Sequence, residues 1–348
     1  MDKLFKILFL VLPIFWHMSC YTFARPMVDD DDDTEVIEII SNDIDEGNTS
    51  LIDLSFYGNA LYGTPDSKAT GELVANYTPD ASSVNPEELG SYLEGDILVP
   101  TEANSAFTKN GVTSLSSRWP NGVVPFEVGG QFSARDLATI EYAIEEYHKR
   151  TCIRFIPRTN QKDYLSIVNG NSGCWSSVGR VGGKQEVNLQ SPGCLTKRGT
   201  AMHELMHALG FLHEQNRQER DSFVSIQYQN IQANAMPNFE KAAKTMAYGV
   251  PYDYGSVMHY SSNAFSNNGQ PTIIAMQSGG SNLMGQRDGF SAFDIEKLNK
   301  MYNCGAVAAG GQSSAQTAAN NQIINSFIGG LINGLGLAEE KADETLKN

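Results

Sequence analysis

Three histidines and a glutamate lie close together in the segment 203–213, which has the sequence HELMHALGFLH. On a helix, the H-E-x-x-H spacing places His203 and His207 on one face, a turn apart, where both imidazoles can bind one Zn²⁺ ion. Gly210 permits a positive φ, and the turn that this allows would bring His213 back as a third nitrogen ligand. Three neutral imidazoles leave a coordination position open to water, which is typical of a catalytic zinc site.

A surface helix with solvated histidines is the alternative interpretation of this segment. We favour the metal site because the full spacing, H-E-x-x-H-x-x-G-x-x-H, is far more specific than H-E-x-x-H alone. With Glu214 directly after it, the segment resembles the metzincin signature in the form of the astacin family. A second block, 256–260 with the sequence SVMHY, resembles the astacin Met-turn and its tyrosine.

The resemblance implies a secreted zinc endopeptidase that holds one Zn²⁺ per catalytic domain and acts on proteins or peptides. Zinc lowers the pKa of a water ligand and polarises the scissile carbonyl. Glu204 would be the general base on that water and would later pass the proton to the leaving amine. Tyr260 would be a fifth ligand at rest that moves away to help hold the oxyanion.

Three neighbouring residues take structural roles by the same resemblance. Met258 would form an apolar floor beneath the histidines, and His259 would have a structural role. Glu214 would form a buried ion pair with the new amino terminus at Asn110. As a plain surface glutamate, Glu214 would have no such role.

Residues 93–96, with the sequence LEGD, resemble a prosegment element whose aspartate occupies the metal in astacin zymogens, with Leu93 in place of the usual phenylalanine. The resemblance therefore implies that Asp96 is a zinc ligand in the precursor, since a carboxylate in the open position displaces water. A plain turn is the alternative. By the same resemblance, the mature chain would start a short distance before Trp119, at the junction Lys109-Asn110, and the lysine there suits a trypsin-like activating protease.

The charge distribution changes at the same junction. Residues 25–109 hold 19 Asp or Glu and 3 Lys or Arg, whereas residues 110–304 hold 16 and 18. The net charge of −15 therefore belongs to the N-terminal segment, and we expect most of it to be solvated and to contribute little to docking. No region is basic enough to indicate nucleic-acid binding.

Residues 1–24 have the pattern of a signal peptide, with two lysines before an apolar run that is too short to span a bilayer. The predicted organisation is a signal peptide (1–24), an acidic prosegment (25–109), a catalytic domain (110–304), and a low-complexity linker with an apolar tail (305–348). Asn48 and Asn76 begin glycosylation sequons, which agrees with an extracellular protein.

The cysteines point to the same compartment. Loss of Cys20 with the signal peptide would leave four cysteines in an oxidising environment, and four cysteines allow three pairings. The astacin resemblance implies the pairs Cys152–Cys304 and Cys174–Cys194.

The elements that position these residues predict an α+β fold, and the resemblance implies that it is of the metzincin type. Ser133 and Asp136 form an approximate capping box for an amphipathic helix that runs to Arg150. Strands are predicted at 152–156, 164–169, 173–176 and 185–189, followed by the metal-binding helix at 196–212. After His213 we expect mostly irregular structure and one terminal helix at 294–302.

The tail repeats apolar residues at helical spacing between 323 and 335, although four glycines weaken it as a helix. This pattern predicts a helix that contacts a partner or a membrane surface.

The alternative to an active endopeptidase is a secreted binding or matrix protein that keeps the fold without activity. The intact pair of Glu204 and Tyr260 argues against it.

Overall fold

The computed structural model describes residues 66–79, 83–98, 115–242, 247–305 and 322–334. All of them belong to one compact unit, residues 50–348. The predicted signal peptide, the sequon at Asn48 and the junction at Lys109-Asn110 lie outside the described residues.

Five strands between residues 123 and 189 form one sheet. They are β1 (Val123–Val128), β2 (Arg154–Pro157), β3 (Tyr164–Val168), β4 (Cys174–Ser176) and β5 (Lys184–Leu189), and their order in the sheet is β2-β1-β3-β5-β4. Neighbouring strands are parallel except for β4, which runs antiparallel to β5 at the edge. The mixed sheet and its helices confirm the predicted α+β class.

The described helices are α1 (Ser67–Ala75), α2 (Ala134–Arg150), α3 (Arg198–Ala208), α4 (Ala292–Met301) and α5 (322–334). The predicted capping box of α2 is confirmed, because the Ser133 hydroxyl accepts from the Asp136 amide while the Asp136 carboxylate accepts from the Ser133 amide. The apolar stripe of α2 is buried in the main core, as its spacing predicts.

Helix α3, which carries two of the predicted metal ligands, is shorter than predicted, since it begins at Arg198 and ends at Ala208. Gly210 has φ +112°, a left-handed conformation that ends the helix and that residues with a Cβ resist. Every residue from Gly199 to Ala208 is buried. Burial on all sides explains why α3 has no clear amphipathic pattern in the sequence.

The described residues after His213 form mostly short 3₁₀ turns, as the prediction of irregular structure implies. They also contain a two-stranded sheet, β6 (Val224–Ile226) and β7 (Ile273–Ala275), which was not predicted. Three residues per strand are too few to show alternation. A second hydrophobic core, which includes Phe239, Tyr260 and Phe265, lies in this part of the chain.

Two disulfides tie the unit together, Cys152–Cys304 and Cys174–Cys194, with the pairing that the resemblance implies. The first joins the start of β2 to the end of α4. The second joins β4 to the turn before α3.

The tail segment 322–334 is helical despite its glycines and packs on the main core. Ile324 and Ile328 are buried in the main core, and the Phe327 ring lies 5.7 Å from that of Phe126 on β1. The apolar stripe of the tail therefore contacts its own chain. No helix in the described ranges has both the length and the apolar character needed to cross a bilayer.

Two pieces of the predicted prosegment, 66–79 and 83–98, also pack on the rest of the unit. Helix α1 buries Val74 in the main core. Residues 96–98 run parallel to the edge strand β4, where the Ser176 amide donates to the Asp96 carbonyl and the Leu98 amide donates to the Ser176 carbonyl. Trp175 on β4 is buried, with its ring 5.8 Å from that of Tyr92.

Candidate metal centre

The three predicted histidine ligands converge at the end of α3. His203 and His207 lie one turn apart on the helix, and the turn at Gly210 brings His213 back toward them. Their ring centroids are 4.6 to 5.2 Å apart, and all three side chains are almost completely buried.

The Nδ1 atom of each histidine faces an oxygen acceptor. His203 Nδ1 lies 2.7 Å from the Val257 carbonyl, and His207 Nδ1 lies 2.7 Å from the Phe211 carbonyl. His213 Nδ1 lies 2.6 Å from a carboxylate oxygen of Glu94. With the proton on Nδ1, each ring presents the Nε2 lone pair to the centre, which is the arrangement that outer hydrogen bonds impose on metal-binding histidines.

Asp96 supplies a fourth possible ligand. Its Oδ2 lies 2.9 Å from His203 Nε2 and 3.3 Å from His213 Nε2, while its Oδ1 lies 3.4 Å from His207 Nε2. Burial raises the pKa of Asp96, but the nearby His213 and His207 outweigh it and hold that pKa well below its usual range. The carboxylate therefore faces the histidines in its ionised form.

This donor set fits a zinc ion. The four ligand atoms lie within 4.8 Å of one another. Within the described part of the chain, Asp96 Oδ1 and His207 Nε2 are buried without a hydrogen-bond partner, which leaves two donor atoms for a cation. Three imidazoles and one carboxylate are common zinc ligands in four-coordinate sites.

A tight turn, residues 92–97, carries Asp96 into the centre, and we call it the prosegment turn. Gly95 has φ +90°, and a Cβ there would lie 2.7 Å from the Phe265 ring, so the turn requires glycine. Glu94 was not predicted from the sequence, yet it contacts two site residues. Its side chain meets His213, and its carbonyl accepts from the Tyr260 hydroxyl at 2.5 Å.

Glu204 lies on α3 next to His203 and is fully buried. Neither of its carboxylate oxygens has a hydrogen-bond partner among the described residues. Burial, and then the charges of Asp96 and Glu87, raise the pKa of Glu204 well above its ordinary value against the effect of Arg287. A buried carboxylate of raised pKa beside a metal site has the properties of a general base.

The predicted Met-turn, residues 256–260, contacts His203 and is held by α4. The Val257 amide and the Ser256 hydroxyl both donate to Asp294 on α4, and the Val257 carbonyl faces His203. Met258 is buried in the main core. His259, for which we predicted a structural role, lies between the Tyr252 hydroxyl and the carbonyl of Tyr260.

The prosegment has a second polar contact with the domain, through Glu87 and Glu88, which we call the acidic anchor. Glu87 forms a fully buried ion pair with Arg287. Glu88 accepts from both the amide and the hydroxyl of Ser261, each at 2.6 Å. These two acids are therefore not part of the solvated charge that the sequence predicts for most of the prosegment, because they face a cation and hydrogen-bond donors that are distant in sequence.

Comparison with known proteins agrees with this geometry. Residues 111–303 match the family model for astacin, which describes a peptidase family. Zinc metalloproteinase nas-4 of Caenorhabditis elegans is 37% identical over 83% of this chain and 90% of its own length. Zinc metalloproteinase nas-8 of Steinernema carpocapsae is 45% identical over 62% of this chain and 52% of its own length.

A solved structure is similar as well. The structure is that of high choriolytic enzyme 1, a hatching enzyme zinc-protease from the medaka fish Oryzias latipes. It superposes with a TM-score of 0.50 and 42% sequence identity, covering 54% of this chain and 93% of that chain.

Proposed function

Because the chain belongs to the astacin family of zinc metalloendopeptidases, we propose that it is made as a secreted zymogen whose prosegment blocks its own metal centre. As a member of that family it is a zinc-dependent endopeptidase, and its substrates are proteins or peptides. The observation that carries the zymogen proposal is the Asp96 carboxylate, which lies among the three histidines.

The proposed organisation follows the sequence boundaries. A signal peptide (1–24) and a prosegment (25–109) precede the catalytic domain (110–304), and a trypsin-like protease cuts at Lys109-Asn110. Two disulfides support secretion, since such bonds persist in oxidising compartments. Asn76 is exposed at the end of α1, as a glycosylated asparagine must be. The contacts of α5 add residues 322–334 to the catalytic domain.

The chain's own groups have distinct roles in the proposed hydrolysis. His203, His207 and His213 hold the zinc ion, which when bound supplies a Lewis acid for the water nucleophile and the scissile carbonyl. Glu204 takes a proton from the attacking water and passes it to the leaving amine. The Tyr260 hydroxyl, once freed from the Glu94 carbonyl, donates to the developing oxyanion.

Latency rests on three contacts of the prosegment turn. Asp96 takes the position that water needs, and Glu94 holds the Tyr260 hydroxyl away from its proposed role. Residues 96–98 pair with β4, the edge strand that an extended peptide would otherwise pair with. Removal of the prosegment releases all three sites together.

The test is to compare uncut precursors. With Lys109→Gln blocking the junction, the parent should be silent toward a quenched peptide, whereas Asp96→Ala should show measurable activity. Glu72→Ala, a change of an exposed acid on α1, is the matched control and should remain silent. Equal silence of the Asp96→Ala and parent precursors would mean that the Glu94 contact with Tyr260 and the pairing with β4 are enough for latency, so that Asp96 is not required for it.

A further inference from the structure

Glu214 directly follows the ligand His213, and its buried carboxylate has cationic partners on both oxygens. Oε1 accepts from Arg217 Nη1 at 2.8 Å and from the Asp253 amide at 2.9 Å. Oε2 accepts from Lys297 Nζ at 2.7 Å. The carboxylate is therefore compensated before any cut at the distant junction.

Lys297 comes from α4, and its ammonium lies between two carboxylates. It contacts Glu214 at 2.7 Å and Asp294 at 3.7 Å, with only 5% of its side chain exposed. Burial lowers the pKa of Lys297, but these two carboxylates outweigh it and raise that pKa. The lysine is thus a buried cation in the ordinary pH range.

The two carboxylates hold the two segments on which the metal centre rests. Glu214 follows His213 in the chain, and its amide donates to the Met258 carbonyl at 3.0 Å. Asp294 holds the Val257 amide, and the Val257 carbonyl orients His203. One ammonium therefore joins the segment that carries a ligand to the segment that orients another.

Arg217 is not equivalent to Lys297. Its guanidinium also pairs with Glu219 and donates to the carbonyls of Pro251 and Val250. Its ion pairs within the described ranges do not include Asp294. Loss of Lys297 would leave two buried carboxylates with incomplete compensation, an arrangement that proteins tolerate poorly.

We propose that Lys297 is a positioning residue for the metal centre, which acts through Glu214 and Asp294. The proposal rests on the proposed function. In it, Lys297 is the buried cation that pairs with Glu214, a role that the family resemblance gives to the new amino terminus at Asn110. The activated enzyme should then not need a terminus fixed at Asn110.

The first arm changes the lysine in the activated enzyme. Lys297→Met should lower kcat/KM at least about tenfold, mainly in kcat, while Lys297→Arg should stay within about threefold of the parent. Lys297→Met should also lose zinc at lower chelator concentrations, because His213 is held less firmly. Lys300→Met is the control, since Lys300 lies on the same helix in an exposed pair with Glu296.

The second arm changes the terminus. Insertion of Gly-Ser between Lys109 and Asn110 gives an activated chain with two extra residues, and its kcat/KM should stay within about twofold of the parent. If Lys297→Met does not fold, the double variant Lys297→Met with Glu214→Gln removes both charges of the pair. Its chelator resistance should then match that of Glu214→Gln alone, because the lysine acts through Glu214, and a further drop would contradict the proposal.

The outcomes separate the possibilities. Full activity and zinc retention in Lys297→Met would overturn the proposal, as would a tenfold loss in the extended enzyme, which would assign Glu214 to the terminus. If the activated parent itself cleaves no peptide, the proposed function fails instead, and zinc retention still tests the lysine.

Discussion

Glu204 has a buried carboxylate whose oxygens lack a partner among the described residues, and the charge of Asp96 faces it across the site. Leaving a buried ionisable group without a hydrogen bond costs about 1–3 kcal/mol or more. A side chain placed at such a cost serves the reaction and not the stability of the fold.

We therefore expect opposite effects of Glu204→Gln on activity and stability. The activated variant should keep its zinc, because the three histidines remain, while kcat falls by roughly 10²–10⁴ through loss of the general base. The midpoint of thermal unfolding of the precursor should not fall, since the neutral amide removes the buried charge. Elemental analysis measures the zinc content, peptide hydrolysis measures kcat, and thermal melting measures the stability. Glu296→Gln, on the surface of α4, is the control. Near-normal turnover would contradict the assigned base.

Most residues of the candidate site could be predicted from the sequence. The spacing of the histidines predicts the metal cluster, and Asp96 follows from a resemblance over a few residues. Glu94 was missed because its contacts with His213 and Tyr260 span more than a hundred residues of chain. The available signal was an acid two residues before Asp96 in a turn predicted to enter a site of histidines and a tyrosine.

Elements were predicted well where local signals are strong. Helix α2 has a capping box at its start and a regular apolar stripe, so both its limits and its buried face follow from the sequence. Helix α3 lacks such a stripe because it is buried on all sides, and its ends were overestimated. Strands β6 and β7 have no detectable period, since tertiary pairing and not local propensity forms them.

The acidic anchor gives a prediction at the scale of elements. Glu87→Gln leaves the Arg287 guanidinium buried without its carboxylate, and breaking such a pair costs up to about 3–5 kcal/mol. The variant precursor should melt at a lower temperature and lose its prosegment faster after trypsin cuts the junction. Thermal melting and the time course of peptide hydrolysis after activation measure both.

The control for the anchor is Glu72→Gln, which changes an exposed acid of the same prosegment. It should leave both the melting temperature and the activation time course unchanged. Unchanged behaviour of Glu87→Gln would show that the Arg287 pair adds nothing to docking of the prosegment.

The whole molecule is organised by segments that are distant in sequence and pack on one catalytic unit. The prosegment covers β4 and the metal centre, while α5 adds Ile324 and Ile328 to the main core. Helical spacing in the tail predicts an apolar face, but spacing alone does not tell which surface covers it. The packing on this chain's own core was therefore outside the reach of sequence reasoning, which favoured a partner or a membrane.

Two isoleucines of α5 distinguish packing from partner binding, because Ile328 is fully buried and Ile323 is 54% exposed. Ile328→Ala should lower the free energy of unfolding of the activated enzyme by roughly 2–5 kcal/mol, the usual cost of removing a buried isoleucine side chain. Ile323→Ala should change it by less than about 0.5 kcal/mol, as is typical of surface positions. Denaturant unfolding measures both. If Ile328→Ala were as stable as Ile323→Ala, the tail would be only loosely held on the core, and its apolar stripe would be free for a partner.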